Sequence, residues 1–570
     1  MRTFRLVAIG LVALFVVLAC GGDKNSGDNE DDQESYSFSI GVNLTEWFQV
    51  NGFVHSANFG KYTKEDFAEL KKLGVNVIRL PIVFNTLEAD ASYKVDKLFF
   101  DLLDQVVDWA EYYKIYIIID NHSSRGHNPT PVDIDKTLIP LWTELADHFK
   151  NRSEFVLYEI LNEDVMAEAK SASRWSEIQQ EVIKAIRSKD QTHSIIVGGY
   201  DWNNIDSLIE LPEFDDSNLI YVFHFYNPHI FTYQGTTWEE LPLTNLEGLP
   251  FPYDAHEMPK TPDEFIGTWR EDQINRYHLE ATQEALAEAL DKAAKFSKDR
   301  NAKIFCGEFG VNMPNALRED RLRWYETVVK LLNDRNISWT QWDYSGDFGI
   351  YKTPQGGDIY SDLDIDIVKA LGFTPPTQKT SEKIKDSFTI YGDYFGKMIL
   401  PTHSVMKGSQ HDLFDTDSYE GKYAIFWGAP AQYDSYTFKF IRAVDWEYLK
   451  DNNYALQFKA KATSKNAQKQ IDFDVRFVDR QSDSEIPWRM RYKIDQNILP
   501  VDGEWHTITI PLKDMSEHGA WDSSANKWHD PSGLFSWEAI DLLQFVAENA
   551  DLSDFSIWID SIEIVKKEGI

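Results

Sequence analysis

From residue 36 onward the chain repeats one alternation: a short, nearly continuous apolar run rich in β-branched and aromatic residues, then a longer stretch with apolar positions three and four apart. The runs are SIGVNLTEW (39–47), VNVIRLPI (75–82), KIYIIIDNH (114–122), FVLYEILNE (155–163), HSIIVGGYD (193–201), LIYVFHFYN (219–227), AKIFCGEFG (302–310) and ISWTQWDY (337–344). Such runs predict strands buried on both faces, and the stretches between them predict amphipathic helices. Helices are expected at 64–74, 96–113, 173–189, 278–298 and 317–334, the first with Thr63 as N-cap and Asp66 completing a capping-box-like pair. Eight such strands alternating with helices predict a parallel sheet, and the number eight favours closure: an α/β fold, a (β/α)8 TIM barrel over residues 36–372. Residues 228–274, rich in Trp, Pro and Tyr, are expected as a loop on its rim.

The alternation stops at FTPPTQKTSEK, whose two prolines and scant apolar content read as a linker, 373–383. Over 384–570 single polar and apolar positions alternate, as in SYTFKFIRA, YALQFKAKA, IDFDVRFVD, EWHTITIPL and DFSIWIDSIEIV. That period predicts an all-β antiparallel jelly-roll sandwich about the size of a binding module. At the other end, MRTFRLVAIGLVALFVVLAC has a basic start and an apolar run from Leu6 to Ala19, short for a spanning helix and suited to a signal peptide, residues 1–19. GGDKNSGDNEDDQES follows and predicts, with Cys20, an acidic disordered tether at 20–35.

In a barrel of this kind the active site lies at the C-terminal ends of the strands. Polar residues gather there: Arg79 on the second run, His122 on the third, Asn162 and Glu163 on the fourth, His224 and Tyr226 on the sixth, Glu308 on the seventh and Trp342 on the eighth. Trp47 and Phe48 near the first run, Tyr200 and Trp202 near the fifth, and Trp238, Tyr344 and Tyr351 are either stacking platforms along a cleft or packing residues. Strand alternation puts Glu159, Leu161 and Glu163 on one face, so Glu159 is expected below Glu163 as a structural carboxylate paired with an interior donor. No metal-ligand cluster of convincing spacing and no phosphate-cradling glycine loop stands in the sequence, so catalysis is expected to need no cofactor.

Composition narrows the picture only slightly. Hydrophobic residues make up 43% of the chain, with 18 Trp, 26 Tyr and 35 Phe, which is material for packed domains rather than disorder. The formal net charge of -35 repels phosphate backbones, so nucleic acid is excluded as a partner.

The motifs IRLP, IDNH, LNE, HFY, GEFG and WTQWDY, in this order at successive strand ends, resemble those of glycoside hydrolase family 5, retaining enzymes on a (β/α)8 barrel. The resemblance implies Glu163 as acid/base and Glu308 as nucleophile, with carboxyl groups roughly 5 to 5.5 Å apart. It further implies Asn162 on the sugar 2-hydroxyl, His122 and Trp342 lining the subsite of the cleaved sugar, His224 tuning Glu163 and Tyr226 bonding Glu308. Arg79 is suited to keep Glu308 ionised. Asp164 departs from the family's usual Pro; it is expected to bend outward at the rim and raise the pKa of Glu163 by repulsion.

The implied activity is endo-cleavage of a β-1,4-linked or mixed-linkage β-glucan. A β-mannanase, a xyloglucanase or a non-catalytic surface glycan-binding protein are the alternatives. The C-terminal part resembles jelly-roll carbohydrate-binding modules, family 11 most closely, through DGEWHTITIPL and SIWIDSIEIV. That resemblance implies glycan contact by the exposed ones among Trp427, Trp446, Trp488, Trp505, Trp521, Trp528 and Trp537, about half of which are expected to be core. It also implies a structural calcium, for which Asp386 and Asp560 are the candidates. VLAC resembles a bacterial lipobox, implying an exported lipoprotein attached to the membrane through lipidated Cys20 and displayed at the outer-membrane surface. Cys306 would then have no disulfide partner, and the protein is expected to be a monomer.

Overall fold

A computed structural model describes residues 38–49, 59–84, 94–123, 130–131, 133–165, 171–379, 386–400, 405–406, 410–444, 446–479 and 486–567. The expected signal peptide, Cys20 and the acidic tether lie outside the described residues.

Eight parallel strands close a barrel: β1 (Ile40–Asn43), β2 (Val77–Ile82), β3 (Tyr116–Asn121), β4 (Val156–Glu159), β5 (Ile195–Gly198), β6 (Leu219–Phe225), β7 (Lys303–Phe309) and β8 (Ser338–Gln341). Each lies inside one of the apolar runs, and β1 closes on β8 through Ile40 opposite Trp339. Inside the barrel Phe38, Val77, Ile118, Leu157, Ile196, Ile220, Val222 and Phe305 pack as an apolar floor. Because side chains alternate along a strand, the next inward residue is two further on, and there the interior turns polar with Arg79, Asp120, Glu159 and His224.

The helix Lys64–Leu73 follows Thr63, whose N–H and hydroxyl both donate to Asp66, at 2.7 and 2.9 Å. Helices Lys97–Tyr113, Ser171–Arg187 and Arg318–Asn333 match the expected spans closely. A further helix forms at Asp135–Phe149, outside the expected spans, with Pro140 in its first two turns. The span expected at 278–298 divides: Trp269–Glu280 ends first, and Gln283–Arg300 starts where the Thr282 hydroxyl accepts from the Ala285 N–H at 3.1 Å. The rim stretch 228–274 holds only the short helix His229–Thr232, a 3-10 turn at Asp263–Phe265 and the start of Trp269–Glu280.

Residues 373–379 are not a free spacer. Thr374 N–H donates to Leu73 O at 2.7 Å, Lys379 N–H to Tyr360 O at 2.7 Å, and Phe373 is buried against Trp339. Beyond them, all-β structure packs as two antiparallel sheets. The strands are β9 (Phe388–Tyr391), β10 (Val405–Met406), β11 (Gln410–Asp415), β12 (Ala424–Gly428), β13 (Ser435–Val444), β14 (Tyr454–Ser464), β15 (Asp472–Asp479), β16 (Trp488–Asp495), β17 (His506–Pro511), β18 (Ser516–Asp522), β19 (Lys527–His529), β20 (Ile540–Val546) and β21 (Phe555–Lys566). One sheet runs β10-β13-β20-β15-β16-β18-β19 and the other β11-β12-β21-β14-β17, with β9 added on β21.

About half of the candidate tryptophans are core, as expected, and the calcium pairing is corrected. Trp427, Trp446 and Trp488 are core residues; Trp505, Trp528 and Trp537 are half-buried, and Trp521 is exposed. Asp386 and Asp560 are not brought together. Ser387, next to Asp386, accepts from Lys566 N–H, six strand positions from Asp560, which is roughly 20 Å. Asp560 is committed to backbone amides of Tyr419, Glu420 and Ser561 at 2.8, 3.1 and 2.6 Å.

The sandwich docks directly on the barrel through aromatic side chains. Tyr394 lies edge-on to Trp109 at 6.1 Å and donates to Gln105, and Phe414 meets Phe59 at 6.1 Å. Lys397 pairs with Glu69 at 2.6 Å.

Candidate active site

Arg79 organises the site from beneath. It is fully buried, and its guanidinium donates to Glu159 through Nε and Nη2, both at 2.8 Å, to Asn162 Oδ1 at 2.7 Å, to Glu308 Oε1 at 2.7 Å and to Asn43 Oδ1 at 3.1 Å. Asp120 Oδ2 lies 3.0 Å from Nη2. Glu159 is therefore the structural carboxylate that alternation predicts, and Arg79 is its interior donor.

Glu308 reaches the interior by an irregularity. The β6–β7 register runs Phe223 opposite Cys306 and then His224 opposite Glu308, so Gly307 is an extra residue, a bulge. Its carbonyl is held by Asn43 Nδ2 at 3.0 Å and by the Thr340 hydroxyl at 2.6 Å. Unbroken alternation from Phe305 through Cys306 and Gly307 would turn Glu308 outward toward the helices; the bulge resets it. Glu308 Oε2 accepts from the Tyr226 hydroxyl at 2.8 Å.

Glu163 arrives by a different route from the one alternation implies. Strand β4 ends at Glu159, Leu161 packs in the outer core, and Glu163 enters the site with a left-handed backbone, φ 42°. Such a φ costs a non-glycine residue about 1–2 kcal/mol. Glu163 Oε1 lies 2.7 Å from His224 Nδ1, which is itself 3.6 Å from Glu308 Oε2. One oxygen each from Glu163 and Glu308 and one nitrogen of His224 lie within 4.8 Å of one another. They are the one such group of potential metal ligands among the described residues, and the 2.7 Å between His224 Nδ1 and Glu163 Oε1 is a hydrogen-bond distance.

Electrostatics separate the groups. Burial pushes the Glu163 carboxyl up to about 7, against the pull of His122, Arg79 and Asn162. Burial lowers both His122 and His224 to about 4, so both imidazoles are neutral near neutral pH. Burial also raises Asp120 to about 7, with Arg79 opposing. Asp120 bridges Arg79 and His122 Nδ1, the latter at 2.8 Å, while His122 stacks on Trp342 with centroids 5.6 Å apart.

Asp164 does the opposite of what was expected. It is fully buried rather than turned outward, burial raises its own carboxyl to about 7 against the Thr130 hydroxyl, and it is not among the strongest influences on Glu163. Trp47 is also corrected: it is 1% exposed, its indole N–H donates to Phe59 O at 2.9 Å, and it stacks on Trp109. Phe48 joins that core, and Tyr344 and Tyr351 are buried with their hydroxyls 2.7 Å apart. Trp202 and Trp238 are exposed, and Trp238 lines the cleft. Asp120 and Asn43 escaped the sequence reading. The signal for Asp120 was present, since it stands two residues before His122 on the same strand face.

The carboxylates open into a cavity of about 720 Å³. Two carboxyl groups at this spacing, one held by cationic and phenolic donors and one with its proton retained, suit displacement at a sugar's anomeric carbon.

Comparison with known proteins agrees with this chemistry. Residues 39–348 match the family Cellulase (glycosyl hydrolase family 5), and residues 398–566 match Carbohydrate binding domain 30. The nearer resemblance to family 11 is thus corrected; its two motifs are β17 and β21, framework strands that flank β14. Endoglucanase C of Acetivibrio thermocellus is 29% identical over 331 residues, 55% of this chain and 94% of that protein. Endoglucanase 3 of Fibrobacter succinogenes is 29% identical over 355 residues, 58% of this chain and 52% of that protein. Endoglucanase H of Acetivibrio thermocellus is 24% identical over 543 residues, 88% of this chain and 51% of that protein.

Proposed function

The chain belongs to the cellulase family, glycosyl hydrolase family 5, and from that premise we propose that it is a retaining, endo-acting glycoside hydrolase that cuts β-1,4-linked or mixed-linkage β-glucan. The observation that carries the mechanism is the pair Glu163 and Glu308, with carboxylate oxygens within 4.8 Å of each other. That separation admits attack by a carboxylate and leaves no room for the water that inversion needs.

In the first step Glu308 attacks the anomeric carbon while Glu163 gives its proton to the departing glycosidic oxygen, forming a glycosyl ester on Glu308. In the second, Glu163 takes a proton from water, whose oxygen displaces Glu308 and restores both carboxyls. Arg79 and Tyr226 stabilise Glu308 as it leaves. Asn162, fixed through its oxygen by Arg79, turns its amide nitrogen to the sugar 2-hydroxyl. His122 and Trp342 flank the same sugar.

The endoglucanase names of the matching relatives support a glucan over a mannan or xyloglucan. The test is reducing-end release by the full chain from carboxymethyl-cellulose, barley β-glucan, xyloglucan, glucomannan and laminarin. Release from the first two, lost by at least about 10³-fold in Glu308→Gln, is expected. Preference for glucomannan or xyloglucan would move the activity to the alternatives, and no release from any would favour a glycan-binding protein.

Attachment through lipidated Cys20, with display at the outer-membrane surface, is also proposed; the basic start, apolar run and VLAC support it. The mass of the N-terminal peptide of the exported protein decides it, since an unmodified Cys20 rules it out.

A further inference from the structure

The cavity that holds Glu163, Glu308 and Trp342 is not built by the barrel alone. Gly396, Lys397, Met398 and Leu400 of the sandwich line it as well. Their position is fixed from behind. Phe395 is buried and lies so close to Gly60 that a side-chain carbon there would come within 2.8 Å of its ring, and Tyr394 is held by Trp109 and Gln105. A segment clamped by aromatic packing keeps its geometry when a ligand arrives, which is what a binding wall requires.

We propose that the C-terminal module completes the substrate cleft, with residues 395–400 forming a wall of it and Lys397 hydrogen-bonding a sugar unit away from the scissile bond. This rests on the β-glucan reading above. Lysine carries three N–H donors. Glu69 takes one at 2.6 Å and Glu65 stands at 4.0 Å, while the side chain keeps 34% of its surface exposed. Asp358 and Glu65 supply acceptors in the same cavity and Tyr360 an aromatic ring, so this wall suits a neutral, polyhydroxylated chain. The sandwich would then act on chain length within the catalytic cleft as well as on polymer capture.

The experiment compares kcat/KM for cellohexaose and cellotriose in the full chain. Lys397→Met should cut the hexaose-to-triose ratio about fivefold, the worth of one hydrogen bond near 1 kcal/mol, and Lys397→Arg should retain it within about twofold. Met398→Trp, which intrudes into the cavity without touching the ion pair, should lower the ratio in the same direction. An unchanged ratio in Lys397→Met and Met398→Trp overturns the proposal. So does an equal loss at both lengths with a lowered Tm, the signature of loosened docking. Absence of turnover of any β-glucan by the unaltered protein overturns the activity reading, and this proposal with it.

Discussion

A guanidinium without exposed surface must satisfy five N–H donors, and Arg79 does so with five hydrogen bonds to Asn43, Glu159, Asn162 and Glu308. Three carboxylates, Asp120, Glu159 and Glu308, therefore share one cation, and burial holds Glu163 above them toward its neutral form against the pull of His122 and Arg79. Its carboxyl, raised from 4.5 to about 7, keeps its proton through mildly acidic pH and loses it as pH rises through 7. Since the first step needs that proton, kcat/KM should fall along an alkaline limb with an apparent pKa near 7. A profile flat across neutral pH would contradict this. Asp164→Asn should leave the limb in place, because burial, His122, Arg79 and Asn162 dominate the titration of Glu163 and Asp164 is not among its strongest influences. Its effect belongs to stability. A buried carboxyl with a raised pKa makes the folded state bind the extra proton, so stability falls as pH rises from the unfolded value of 3.8 through about 7. Asp164→Asn should accordingly raise Tm more at about pH 8 than at about pH 5, by a margin on the order of 3 kcal/mol at full ionisation. Equal Tm shifts at the two pH values would exclude that account.

At the scale of elements, the strand ends supply the site only because two of them are irregular. The bulge at Gly307 turns Glu308 inward, and the left-handed residue after β4 brings Glu163 over the barrel. A Cβ at Gly307 would come within 2.7 Å of Val222 Cγ2 and 3.1 Å of His224 Nε2. Gly307→Ala should push the His224 imidazole out of line with Glu163 and lower kcat by up to about 10²-fold, read against an unchanged far-UV spectrum. Undiminished kcat would mean that the bulge absorbs the methyl group. Apolar runs and helical periodicity made every barrel strand and most of the longer helices legible, while the short ones at Ile205–Glu210, His229–Thr232 and Ile365–Ala370 left no pattern of their own. Asp135–Phe149 forms despite Pro140 because the penalty of an interior proline is local, whereas the packing of Leu138, Leu141, Trp142 and Leu145 that outweighs it is tertiary.

For the whole molecule, the docking of sandwich on barrel makes the two domains mechanically one. Phe59, Trp109, Phe395 and Phe414 are all at most 9% exposed. The full chain should therefore unfold in a single calorimetric transition. Tyr394→Ala, which removes a ring packed on Trp109 and a hydrogen bond to Gln105, should cost about 3 kcal/mol and split it in two. Two transitions in the unaltered protein would show that the interface contributes little.

By itself the sequence determined the barrel, the sandwich, and five of the eight strand-end residues at their observed places without further help, because side-chain alternation and the burial of apolar runs are local properties. The arrival of Asn162, Glu163 and Glu308 inside was legible only as a pattern of motifs, since the bulge and the left-handed turn after β4 leave no periodic trace. Whether an aromatic residue stacks on a sugar or fills a core was decided by tertiary packing: Trp47 and Trp202 stand in similar positions after their strands, yet one is 1% and the other 44% exposed. Asp164 and the shared cleft were settled in the same way, because burial depends on what comes to lie on top of a residue, and for the cleft that is a segment hundreds of positions away.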